Sequence, residues 1–324
     1  MPNENNTDQI RDLTNRVHFA GRIAEATVTD GTTKTNVPYI SIRGTIRCGE
    51  DAVMDMPFEM FCQSKKKNGE DNKSYATIKK WAMRVKSIAD DPDNATWADL
   101  TGSMATNDYV NREGKLVEGY RYQMSFISDF KNYACTLDLE GYLSGVRDEM
   151  RGQGDDEVAT GRKVLRLFSR NRIGTDLIDY KRIIVPKELL SDFEDGGFEP
   201  GCTSTFYITF TPTQSSAPKK AGIGQQRVTE GRAYTEPILT GADLPVDEDS
   251  REALSTSLMK AALNERKTHL QEIEAAGYLG SSSDSSGTTS APAPAQKANK
   301  KSIGTRNTVQ EEILSPVDDE EFPF

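Results

Sequence analysis

The side chains in this sequence best equipped for chemistry are aromatic and basic residues that recur together. Tyr39, Arg43 and Arg47 share one face of an expected strand, and Lys65, Lys66, Lys67, Lys73 and Tyr75 surround a loop leading into an expected helix. Tyr109, Arg112, Lys115, Tyr120 and Arg121 flank a hairpin. Further along, Arg166, Phe168, Arg170 and Arg172 share a second strand face, with Lys181 and Arg182 on the next strand. Lys219, Lys220, Arg227, Arg232 and Tyr234 sit in and beyond a long loop. Flat rings stack on exposed bases while cations pair with phosphates, and a sequence-tolerant binder of single strands needs both along one groove, stacking being worth about 1–3 kcal/mol per base.

Each group also has a plain structural reading. Alternating charges mark the solvent face of a strand, a lysine triplet marks a solvated loop, and tyrosines are often core residues with a satisfied hydroxyl. Phe168 is the most telling member, because a phenylalanine between arginines on a polar strand face has no solvation reason to be there. It is expected to stack on a base, whereas Trp81 and Trp97 are assigned to packing.

Catalytic templates are missing. The sequence has no phosphate-cradling Gly-x-x-x-x-Gly-Lys-Ser/Thr loop, no His-Glu-x-x-His and no Gly-x-Ser-x-Gly, and two lone histidines, His18 and His269, leave little for general-base chemistry. Acid pairs such as Asp90-Asp91 and Asp155-Asp156 stand in solvated, loop-like contexts and make a poor magnesium site. Cys48, Cys62, Cys135 and Cys202 form no Cys-x-x-Cys pair, so neither zinc nor a disulfide framework is encoded locally. The expectation is a binder rather than an enzyme, with no cofactor and no metal, in a reducing, cytoplasmic compartment. No apolar run reaches the length of a membrane span.

The elements that must position these residues are mostly strands. Arg16–Thr29 bends at Gly21, and Val37–Cys48 alternates Ile40, Ile42 and Ile46 against Tyr39, Ser41, Arg43, Thr45 and Arg47. Pro57–Gln63 is a third strand. Ser74–Ala89 has a helical pattern with Ile78, Trp81, Ala82 and Val85 on one side. Strands over Leu100–Val110 and Val117–Asp129 complete the order strand, strand, strand, helix, strand, strand, which is that of an OB-fold barrel.

Something similar follows. Thr136–Arg151 again carries a mid-strand glycine, Gly141, and Gly161–Ile173, Lys181–Val185, a short helix over Pro186–Phe193, Thr203–Thr211 and Arg227–Leu239 repeat the order. The expected architecture is mainly β. Residues 1–15 form a flexible arm, 16–131 and 132–244 two tandem OB-folds, 245–279 a helix, 280–314 a Ser/Ala/Pro-rich disordered linker, and 315–324 an acidic tip. The helix has a partial apolar stripe suited to its own barrel or to a second copy of the chain, so a homo-oligomer is open.

In the tip, Asp318, Asp319, Glu320 and Glu321 run into Phe322, Pro323 and Phe324. Acids followed by rings suit a basic cleft with an apolar pocket. This segment resembles the acidic tip of bacterial and phage single-stranded DNA-binding proteins, although Phe322 stands where the bacterial tip usually has Ile. The resemblance implies two partners: single-stranded DNA for the barrels, and replication or recombination enzymes for the tip.

Net charge is -10, which at first opposes a nucleic-acid partner. The charge is segregated, however: residues 1–242 hold 32 basic against 35 acidic side chains, and most of the excess acid lies beyond them. Local basic stripes, not the total, decide contact with a polyanion.

Overall fold

A computed structural model describes residues 10–50, 54–152, 157–170, 177–214 and 233–280. The linker and the acidic tip lie outside the described residues, as do Arg172, Lys219, Lys220, Arg227 and Arg232.

Alternation builds the first barrel. The strands are β1 (Asn15–Thr32), β2 (Pro38–Arg47), β3 (Asp55–Gln63) and β4 (Trp97–Thr106), and helix α1 (Lys73–Ala82) lies between β3 and β4. The short pair β5 (Tyr109–Val110) and β6 (Leu116–Val117) forms a hairpin before β7 (Tyr120–Ser128). The pairing runs β1-β2-β3-β7-β4 and returns to β1, with β3 and β7 parallel. This is a closed five-stranded barrel in OB order. Ile40, Ile42 and Ile46 point inward, fully or almost fully buried, as their period of two requires. Helix α1 is capped by Asn72, whose side chain accepts from Ser74 N, and its buried face is Ile78, Trp81 and Ala82. It ends seven residues before the expected Ala89.

The second half repeats the circuit. Strands β8 (Ala134–Arg151), β9 (Val158–Arg170) and β10 (Leu177–Val185) precede a 3-10 turn (Lys187–Leu189) and helix α2 (Leu190–Asp195), and β11 (Thr203–Gln214) and β12 (Ala233–Ala242) follow. Pairing runs β8-β9-β10-β12-β11 and returns to β8, again with one parallel pair, β10 with β12. The repeated glycine has one physical cause in both halves, a backbone crossing at close range. A Cβ on Gly21 would lie 1.9 Å from Arg47 O, and one on Gly141 would lie 2.6 Å from Phe168 O.

The halves are joined strand to strand. β1 pairs with β8 from Asn15↔Leu139 to Ala20↔Ala134, and one apolar cluster runs from Val17 and Phe19 through Leu137 to Phe206 and Phe210. Rings interlock across the junction: Phe210 of the second barrel meets Phe19 at 6.1 Å and Tyr122 at 5.9 Å, edge to face.

Helix α3 (Thr256–Gly280) starts eleven residues later than the expected Pro245. Residues 245–255 instead form a loop with turns whose two sides meet the start of β11, Val246 N donating to Thr203 O and Leu254 N to Thr203 Oγ1. Ser255 Oγ accepts from Leu258 N and opens the helix. Leu254, Met259 and Leu263 then cover Tyr142, Phe168 and Leu177 of the second barrel, and Ile10 and Leu13 of the N-terminal arm close the same cluster. The stripe on α3 is thus met by its own barrel.

Candidate nucleic-acid interface

The outer face of β2 and β3 is the part of the first barrel where rings meet solvent beside cations. Tyr39, Ser41 and Arg43 point outward from β2, and Glu59, Phe61 and Gln63 from β3, because their neighbours Ile40, Ile42, Phe58, Met60 and Cys62 fill the barrel. Register sets Ser41 opposite Phe61 and Tyr39 opposite Gln63, so the two rings are diagonal neighbours. Their centroids lie 5.3 Å apart at 34°, and Phe61 is 59% exposed. In OB barrels the strand 2–3 face and its flanking loops are where oligonucleotides bind.

Cations surround this pair. Glu59 stands between Arg43, 3.9 Å away, and Arg121 of β7, 3.5 Å away, and both arginines remain largely exposed. One carboxylate facing two guanidiniums leaves net positive charge. At the Tyr39 end, Ser64 N donates to Pro38 O, which ties the lysine loop beside the rings. In that loop Lys65 pairs with Asp71 and Lys66 with Glu70, both exposed, while Lys67 and Lys73 have no ion-pair partner among the described residues. Exposed pairs of this kind are worth about 0–1 kcal/mol and open readily to a phosphate. Tyr75 is half-buried against the core, with Lys79 Nζ 5.7 Å from its ring centroid.

The hairpin marks the far end of the face. β3 and β7 run parallel with Glu59 beside Gln123, so Tyr120 is level with Met56, and the hairpin carrying Tyr109, Arg112 and Lys115 leaves the barrel there. Tyr109 is 40% exposed and Arg112 is exposed. Arg47, near this end, is occupied by Asp55 through two hydrogen bonds of 2.8 and 2.9 Å, which raise its pKa, so it is a poorer phosphate partner than expected. From the lysine loop to the hairpin is roughly 30 Å along β3 at about 3.3 Å per residue.

Tyr120 is not on this face. Its hydroxyl donates to Asp179 O and its ring lies 5.0 Å from that of Tyr180, so it belongs to the junction between the barrels. Burial pushes its pKa up.

The corresponding face of the second barrel is covered. Phe168 is fully buried, stacked parallel to Tyr142 at 6.5 Å under α3 and the arm. The expected side of the strand was right, but that side does not reach solvent, so the ring has no access to a base. Arg166 beside it is 8% exposed and grips Asp179 through two hydrogen bonds of 2.8 and 2.7 Å. Arg170 donates to Ile10 O, and Lys181 pairs with Glu118 of the first barrel at 3.2 Å.

Arg182 joins a buried cluster with Arg162, Glu149 and Glu236, in which Arg162 bonds Glu149 at 2.6 Å and Arg182 bonds it at 2.7 Å. Burial raises the Glu149 pKa, but bonds from Arg162 and Thr160 and the two guanidinium charges outweigh it and draw it down to about 2. Tyr234 is half-buried with its hydroxyl 3.5 Å from Glu236. Its place, like those of Arg166, Phe168, Arg170, Lys181 and Arg182, is inside the protein's own contacts.

Phe61 is absent from the residues the sequence pattern singled out, although, like Phe168, it interrupts a polar strand face, between Glu59 and Gln63. Among the described residues, no cluster of three or more His, Cys, Asp or Glu could hold a metal ion, and no helix is long and apolar enough to cross a membrane.

The chain belongs to the YorF family, whose model matches residues 14–276. No curated protein matches it. Among solved structures it is similar to the wild-type single-stranded DNA binding protein from Thermus aquaticus, with a TM-score of 0.41 and 12% identity over 74% of this chain and 97% of that one. A deletion mutant of the same Thermus aquaticus protein gives the same score and identity over 98% of its length.

Proposed function

We propose that this protein binds single-stranded DNA without sequence preference, through the β2–β3 face of its first barrel. The carrying observation is the Tyr39–Phe61 ring pair, Phe61 exposed and Tyr39 half-buried, set between Arg43, Arg121 and the lysine loop on that face. Rings accept any base, the cations follow the backbone, and no group on this face demands a particular base edge. The protein acts as a binder, not a catalyst, in replication, recombination or repair. Asp318, Asp319, Glu320 and Glu321 with Phe322, Pro323 and Phe324 recruit partner enzymes, a role supported by their composition alone.

The test is an anisotropy titration with labelled oligo(dT) and with duplex of equal length, each at two salt concentrations. Single strands are expected to bind far more tightly than duplex, with affinity falling as salt rises. Equal affinity for the two, or indifference to salt, refutes the reading. For the tip, a pull-down from bacterial lysate compares the intact chain with Phe324→Ala, which is expected to lose its partners because a ring anchor dominates a small interface. Unchanged capture refutes that part.

A further inference from the structure

Of the ten phenylalanines among the described residues, only Phe61, Phe126 and Phe130 are exposed, and all three lie on β3, on β7 or just past β7. Phe126 is 64% exposed. The parallel register, with Met60 beside Met124, brings Phe61 level with Ser125. β7 pairs with β4 as Thr101↔Phe126 and Gly102↔Met124, so Ser125 is an extra, bulged residue. That bulge keeps Phe126 on the outside while Ile127 packs on the core. Tyr39, Phe61 and Phe126 therefore stand on three successive strands of the outer surface.

Beyond Phe126 the surface opens into a cleft of about 750 Å³ between β4 and the arm, lined by Thr14, Asn15, Arg16, Thr101, Ser125 and Phe126 among others. Its size is within the range of small-ligand sites. Arg16 is exposed and has no ion-pair partner among the described residues. Asp12, also in the lining, stands 3.9 Å from Arg170 with its side chain 96% exposed, so the cleft carries an acid as well as a base.

We infer that this cleft is a second nucleotide subsite. A single strand leaving the Tyr39–Phe61 pair crosses β7, stacks a base on Phe126 and places a phosphate at Arg16. The inference rests on the proposed DNA binding and adds to it a direction, across the strands from β2 toward β4. A nucleic acid suits the cleft better than a protein partner, because the ring is set among hydroxyls beside Arg16, which has no ion-pair partner among the described residues. A docking patch for protein would be continuous and apolar at its centre.

The test uses Phe126→Ser and Arg16→Gln in the full chain, with Phe61→Ala as reference, titrated with oligo(dT) of about 8 and about 30 nucleotides; one OB barrel covers about 4–16. Phe126→Ser is expected to weaken both lengths about ten-fold, because β3 and β7 are adjacent and an 8-nucleotide strand reaches both rings, with Arg16→Gln following the same pattern more weakly. Phe61→Ala should weaken both. Melting temperature serves as the folding control, since both positions are exposed. Unchanged affinity of Phe126→Ser for both lengths overturns the subsite. A change in oligomeric state without a change in DNA affinity makes the ring a protein contact and overturns it too. If the unaltered protein fails to bind either length, the parent reading falls, and that outcome is distinct from wild-type binding with indifferent variants.

Discussion

The two barrels share a strand order and differ in what became of one surface. In the first, the outer face of β2 and β3 presents an exposed Phe61 beside a half-buried Tyr39, with arginines that share a single carboxylate. In the second, the outer face of β9 and β10 holds a ring and arginines of the same kind, but α3 and the arm lie over Phe168, Arg166 is bonded to Asp179, Arg170 to Ile10 O, and Arg182 shares Glu149 and Glu236 with Arg162. A basic, aromatic strand face is thus an interface in one context and an internal seam in the other. The deciding variable is the segment that covers it. A buried arginine without a partner would cost several kcal/mol, so burying Arg166 beside Phe168 required Asp179 to be present.

Removing the covered ring should break this comparison most visibly. Phe168→Ala leaves a cavity beneath α3 and is expected to destabilise the fold by about 3–5 kcal/mol, read as a large drop in melting temperature. Single-strand affinity of the folded fraction should stay unchanged. If instead affinity falls while the melting temperature holds, the covered face opens in solution and the two barrels are alike after all.

Acid should loosen the second barrel through its carboxylate cluster. The folded-state pKa of Glu149 lies at about 2, below its ordinary value of 4.5, so its contribution is complete above about pH 4.5 and is lost as pH falls toward about 2. Glu236 is lowered in the same direction, its burial outweighed by Arg162 and Arg182. Melting curves from pH 7 to about pH 3 should therefore show Glu149→Gln converging on the unaltered protein at the acid end. A constant gap across that range would show that the cluster contributes by packing and not by charge.

These contrasts explain what was legible beforehand. Strand order, the α1 core residues and the inward isoleucines of β2 follow from local periodicity, which is a property of the chain itself. So does the outward side of Arg166 and Phe168. Whether that side meets water depends on residues far away in the chain: Leu254, Met259, Leu263, Ile10 and Leu13. The apolar stripe on α3 was the available signal, since a helix that packs on its own barrel needs an apolar surface such as Phe168 to meet. The sequence places the start of α3 too early because Asp247, Glu248 and Asp249 fit a helix N-terminus in composition, whereas residues 245–255 form a loop with turns, such as Ser250 N to Asp247 O, that is tied at Val246 and Leu254 to Thr203.

The open face should respond in the opposite way to the covered one. Phe61→Ala removes a ring that is 59% exposed, so the melting temperature should hardly move. Oligo(dT) affinity should fall by about 1–3 kcal/mol if the ring stacks on a base. A loss of stability with unchanged affinity would make Phe61 a packing residue and leave the first barrel without a carrying observation.

The smallest expected effect separates the arginines of the two faces. The Arg43 side chain is 65% exposed and its ion partner among the described residues, Glu59, is at 3.9 Å, so Arg43→Gln should leave stability within about 0.5 kcal/mol. Its loss should instead flatten the dependence of log affinity on log salt by about one, the signature of a single phosphate contact, and by a similar amount for any base sequence. Arg182→Gln reverses both results. It leaves Glu149 and Glu236 with one fewer partner inside the protein, so stability falls, while the salt slope stays as it was because Arg182 never meets a phosphate. Measuring melting temperature and salt slope for both variants gives four values. A flattened slope for Arg182→Gln would place the strand on the second barrel and remove the distinction between the two faces.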